Sequence, residues 1–136
     1  MIRRLSTGLV LAACSLVACS SGSSGETPPL GDWGSNQAAL TIADTSARLL
    51  IASGNCFIAY GDISGRIPGG QFTKSGTFTQ LVGYAPGFVQ YPATFTGTAD
   101  ATVISITATI SGLGQSIGPL NVAQGVVKAF PACAVP

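Results

Sequence analysis

Four cysteines, five carboxylates and no histidine set the chemistry open to this 136-residue chain. The missing histidine removes the commonest general base and metal ligand. Ser–His and Cys–His nucleophilic dyads are therefore excluded. The carboxylates are Glu26, Asp32, Asp44, Asp62 and Asp100. Asp44 and Asp100 stand beside expected hairpin turns, where aspartate commonly hydrogen-bonds the backbone. Asp62 stands close enough to Arg66 in sequence to pair with it. No spacing among the five suggests an acid and base acting together. The run Gly65-Arg66-Ile67-Pro68-Gly69-Gly70 lacks the Lys-Ser/Thr ending and the following helix of a phosphate loop, and reads as a connection between strands. The expectation is a chain with no catalytic residue, no metal site and no enzymatic activity.

The cysteines carry more information than the acids. Arg3 and Arg4 open the chain, Leu5 to Ala18 is uncharged and mostly apolar, and Leu16-Val17-Ala18-Cys19 closes this stretch. Such a layout is that of a secretory signal, too short to read as a bilayer-spanning helix. Its ending resembles the lipobox of bacterial lipoproteins. That resemblance implies removal of residues 1–18, a diacylglycerol thioether on Cys19 and acylation of the new amine. Leu11-Ala12-Ala13-Cys14 has the same form, but cleavage there would leave an apolar stretch at the short limit for such signals. Two or more acyl chains make attachment stable, at about 0.8 kcal/mol per buried methylene. Ser20 rather than Asp after the cysteine implies, by the same resemblance, the outer membrane of a bacterial envelope, facing periplasm or cell surface. With residues 1–18 removed and Cys19 alkylated, Cys56 and Cys133 remain as a pair, which an oxidising compartment would join as a disulfide. No cofactor beyond the covalent lipid is expected.

Composition then divides the chain. Residues 19–30 comprise Cys19 and a Ser/Gly/Pro-rich stretch with one charge, Glu26, and read as a flexible linker. Residues 31–136 suit one domain with one core. The formal charge of +1 includes Arg3 and Arg4; without them, Arg48, Arg66, Lys74 and Lys128 stand against five acids, leaving about −1. There is no basic cluster, so nucleic acid is not an expected partner.

Gly, Thr, Ser and Pro recur too often for helices, and period-two runs fit better. Ala38, Leu40 and Ile42 share a face, as do Ala47, Leu49 and Ile51, with Arg48 on the other side. Cys56, Ile58 and Tyr60 alternate next, then Phe72 to Phe78 and Ala93 to Ala99. The clearest strand is Ile104, Ile106, Ala108 and Ile110. Ile117 to Val122, interrupted by Pro119, and Val126 to Phe130 complete about eight strands. The predicted fold is all-β, an antiparallel meander closing into a barrel, with a β-sandwich as the alternative.

Gly31-Asp32-Trp33 before the first of these strands resembles the Gly-x-Trp opening of calycin barrels, the lipocalin and avidin group. In that group the Trp packs across one barrel end with a basic residue from a late strand on its face. Carried over, Trp33 takes the first place and Lys128 the second. A wider pattern, including Asn55-Cys56, Ala93-Thr94-Phe95-Thr96-Gly97 and a closing cysteine, resembles small secreted bacterial domains with which no activity is associated. Avidin's biotin ligands have no counterpart here. Tyr84, Phe88 and Tyr91 fall in a stretch of loop composition around Pro86-Gly87 and are candidate contacts for a ligand or partner at the barrel mouth; packing over the barrel end is the alternative. Two functions follow as expectations. One is a membrane-anchored barrel binding a small apolar ligand. The other is an envelope protein-interaction module, such as a hydrolase inhibitor or structural component.

Overall fold

The computed structural model describes residues 26–81 and 88–133, the side chain of Phe88 excepted. Cys19, the expected signal segment and Tyr84 lie outside the described residues. Eight strands form a closed antiparallel barrel in which each pairs with its neighbours in sequence: β1 (Gly31–Gly34), β2 (Ala38–Ile42), β3 (Ser46–Ser53), β4 (Cys56–Ser64), β5 (Gly70–Leu81), β6 (Phe88–Ala99), β7 (Val103–Ile110) and β8 (Gln115–Gln124). The closing seam is narrow: Trp33 pairs with Gln124 and Gly34 with Ala123.

Period-two alternation puts Leu40, Leu49, Ile63, Phe78, Phe95, Ile104, Ile106, Ile110 and Val122 inside, all buried. Polar residues alternate outward. That polarity is the reverse of a membrane-spanning barrel, whose outer face is apolar. No described helix is long and apolar enough to cross a membrane. Phe95 occupies the centre. A Cβ on Gly61 would stand 2.7 Å from its ring, and one on Gly76 3.0 Å from it. Two glycines on β4 and β5 thus make room for one large side chain from β6.

Three details depart from expectation. First, β1 is itself a strand, and the eighth expected strand, Val126 to Phe130, is not one. Once β1 and β8 pair, the barrel has no free edge. The chain after β8 therefore crosses the outer surface as a strap, residues 125–133. A Gly125 N–H donates to the Asp32 carbonyl at the start. At the far end the Phe57 N–H donates to Pro131 and the Cys133 N–H to Phe57. The Cys56–Cys133 disulfide locks this end, with Cα atoms 4.8 Å apart.

Second, β4 runs in the opposite phase. Ala59, Gly61 and Ile63 face inward, while Ile58 is exposed and Tyr60 faces out. The β3–β4 register jumps here, Ile51 pairing with Ala59 but Ala52 with Phe57. Ile58 is the extra residue of a β-bulge, which breaks the alternation.

Third, Pro28 and Pro29, within the stretch expected to be linker, are fastened to the barrel. Pro28 is buried, Arg66 Nη2 donates to its carbonyl at 3.1 Å, and the Trp33 indole N–H donates to Pro29 at 3.2 Å. Pro119, by contrast, is accommodated within β8. It lies where the register shifts opposite Thr107, a bulge position that needs no proline N–H.

Candidate functional site

Successive strands place outward side chains side by side, so surface chemistry is organised in rows across the sheet. One row runs Asp32, Thr41, Arg48, Asp62 through the pairings of β1 to β4. The Thr41 hydroxyl donates to Asp32 at 3.1 Å, and Arg48 Nε donates to Asp62 at 2.8 Å. The Arg48 guanidinium also lies 4.6 Å from the centre of the Tyr60 ring, a cation–π arrangement. Its hydrogen bond to the Asp62 carboxylate raises the Arg48 pKa above the ordinary value. These side chains remain well exposed, so the ion pair contributes at most about 1 kcal/mol to stability.

The strap borders this row. Gly34 is the condition for its passage: a Cβ there would stand 2.6 Å from the Val126 carbonyl and 3.2 Å from Lys128 Cγ. Between strap and barrel lies a pocket of about 100 Å³, walled by Arg48, Leu50, Thr41, Val127 and Lys128, with Trp33 and Leu40 beneath. Its volume is well under the roughly 300–1,000 Å³ typical of small-molecule sites. Val127 is 71% exposed at its rim.

The outer face of β5 to β7 is different. Thr73, Thr96 and Thr107 align across the three strands, as do Ser75, Thr94 and Thr109. A shallow concavity of about 450 Å³ lies over Thr73 and Thr96. From Ser75 to Val127 the sequence holds one charge, Asp100, and these rows carry neither aromatic nor arginine side chains.

Every domain carboxylate has a structural partner. Asp32 accepts from Thr41, Asp62 from Arg48, and Asp44 from Arg66 at 3.5 Å. Asp100 accepts from the backbone N–H of Thr102 and of Val103, and from the Thr102 hydroxyl. The expected Asp62–Arg66 pairing is thus replaced by two others. Arg48 is directly opposite Asp62 in the sheet, whereas Arg66 lies beyond the end of β4. Among the described residues no group of three or more Cys, Asp or Glu side chains could hold a metal.

Trp33 is 1% exposed and lies inside the end of the barrel where the chain enters β1. Lys128 is on the strap, not a strand, and lines the small pocket together with Trp33. Tyr91 points inward at the opposite end, packed beside the core, with Gly112 of the Ser111–Leu113 3-10 turn close to its ring. That is the position of a barrel-end cover. Phe88 begins β6. The sequence alone does not point to Arg48, Tyr60 and Val127 as contact residues. Their one legible signal is Arg48 on the face opposite Leu49 and Ile51.

No family model, curated protein or solved structure matches the chain.

Proposed function

We propose that this protein is a lipid-anchored module of the bacterial envelope, non-enzymatic, that binds another envelope protein through the pocket between the strap and β1–β3. Cys19 carries the lipid, and Ser20 directs the protein to the outer membrane. The observation that carries the binding reading is the position of Phe95 on Gly61 and Gly76. An apolar ligand in the interior would have to displace the side chains already there, so recognition falls to the outer surface.

On that surface the strap pocket has the composition of a protein contact. Arginine and tyrosine are enriched among the residues that dominate binding energy; Arg48 lines the pocket, Tyr60 lies outside it beneath the Arg48 guanidinium, and Asp62 and the Tyr60 ring already hold Arg48 in place. Preorganised side chains lose less entropy on association. The pocket's size suits one aliphatic side chain of a partner, with Val127 and Leu50 beside it. The hydroxyl rows of β5–β7 offer no comparable anchor.

A photo-crosslinking residue at Val127, compared with one at Thr96, tests this in envelopes of the native host. The expected result is a discrete protein adduct from position 127 that disappears with Arg48→Ala. Identical adducts from both positions, or none from position 127, would defeat the reading. Intact mass of the membrane fraction tests the anchor separately: the mature chain should begin at Cys19 and carry lipid.

A further inference from the structure

We infer that one end of the barrel is itself a membrane contact, with Leu30, Val103 and Val126 seated at the boundary between headgroups and acyl chains. This rests on the anchor at Cys19 proposed above. The three side chains are 48%, 46% and 39% exposed. They come from distant parts of the sequence but flank the closing seam, at the ends of β1, β7 and β8 that share one end of the barrel. Leu30 immediately precedes β1, Val103 opens β7 and Val126 follows β8. Val103 pairs with Ala123, the Gln124 N–H donates to Thr102, and the Gly125 N–H donates to Asp32. Single exposed aliphatic residues are ordinary, but several grouped at one end form a surface that needs an occupant.

The path of the chain identifies that occupant. Pro28 and Pro29 are fastened at the same end by Arg66 and Trp33. Leu30 follows directly. From Cys19 to Pro28, nine residues reach at most about 30 Å even when fully extended. The anchored bilayer is therefore the surface this end meets first and most often. Tethering raises its effective concentration, so a few side chains suffice to orient the barrel although they could not recruit it alone.

Electrostatics fits an apolar contact. Arg66 is paired with Asp44, and Asp44 and Asp100 both sit in turns at this end. Their charges favour the headgroup level over deeper insertion. Attraction to anionic lipid is not required, so neutral bilayers should suffice.

The test uses the full lipidated protein in phosphatidylcholine vesicles whose acyl chains are brominated, which quench nearby tryptophan. Val103→Trp is compared with Ile58→Trp, an exposed site at the opposite end, and Trp33 supplies the background. Quenching of the tryptophan at 103 should exceed that at 58 by roughly twofold or more, as expected for side chains lying ~5–10 Å into the interface, and should persist in high salt. Leu30→Trp, outside the strands, gives an independent report if Val103→Trp folds poorly. Equal quenching at both ends, or none at either 103 or 30, in protein whose mass shows the lipid, overturns the inference and leaves the anchor standing. Protein without lipid at Cys19 overturns the anchor, and this contact with it.

Discussion

The ring of Phe95 lies across Gly76 of β5 and reaches Gly61 of β4, 2.7 Å from where a Cβ on that residue would stand. One side chain therefore touches the backbone of two strands beyond its own. The contact works only because both positions lack a side chain. A methyl group at 61 has no direction in which to go except into the ring.

Gly61→Ala should cost about 1–3 kcal/mol through overpacking, and Phe95→Ala about 3–5 kcal/mol through lost burial and the cavity left behind. Combining Gly61→Ala with Phe95→Leu should cost less than the sum of the two single changes, because the smaller side chain vacates the space that the methyl needs. Urea denaturation of the set measures this. Strict additivity would show that the two residues do not share that space.

This pair also explains which parts of the fold were legible. β7 announces itself through Ile104, Ile106, Ala108 and Ile110, large side chains on one face and polar ones on the other. β4 does not. Its inward face is Ala59, Gly61 and Ile63, and the bare backbone at Gly61 is dictated by Phe95, which lies far along the chain. Its visible apolar alternation, Cys56, Ile58 and Tyr60, is crossed by a bulge and belongs largely to the surface. Local periodicity cannot register a constraint that arrives from another strand. The same limit applies to charge: Arg66 is near Asp62 in sequence, but the sheet places Arg48 opposite it. The strap pocket was illegible for a related reason. Val127 looks like a strand residue until closure of the barrel leaves no edge for it to join.

Removing the disulfide should free the strap. In the chain-entropy description, a link across 77 residues stabilises by about 4–5 kcal/mol. The Cys56→Ala, Cys133→Ala double variant should melt at lower temperature and become sensitive to proteolysis after Gln124 first. Unchanged protection of residues 125–133 would show that the strap holds without its covalent end.

Arg48→Ala should separate stability from binding. The Arg48–Asp62 pair is exposed at 57% and 40% of the respective side chains, so folding stability should change by less than about 1 kcal/mol. Partner affinity should fall about tenfold or more, the equivalent of about 1.4 kcal/mol. Equal losses of both would reassign Arg48 to a structural role.

Stability should be nearly flat between pH 5 and 8, the interval in which histidine ordinarily titrates, because the chain has none. The response comes lower. The N–H groups of Thr102 and Val103, then the Thr102 hydroxyl, hold the Asp100 pKa below its ordinary value. A carboxylate depressed in the folded state contributes fully above its unfolded pKa, about 3.9. That contribution disappears as pH falls through the folded value. Asp100→Asn should make the urea midpoint less sensitive to pH below about 4. An unaltered acid limb would place the titration on another carboxylate.

The seam has a consequence for how the molecule is made. Trp33 finds its partner in Gln124, so the first strand to emerge from a ribosome or translocon waits for the last. Until β8 arrives, β1 presents an open edge, the form of backbone most prone to pairing with other chains. A vectorially delivered polypeptide can build β2 through β7 by successive hairpins, yet it cannot seal. Circularisation of the sheet therefore waits for β8, and fastening of the tail across the join comes after it. Any helper that serves this protein during its synthesis has its most useful moment in that interval, shielding an early edge on behalf of a late one.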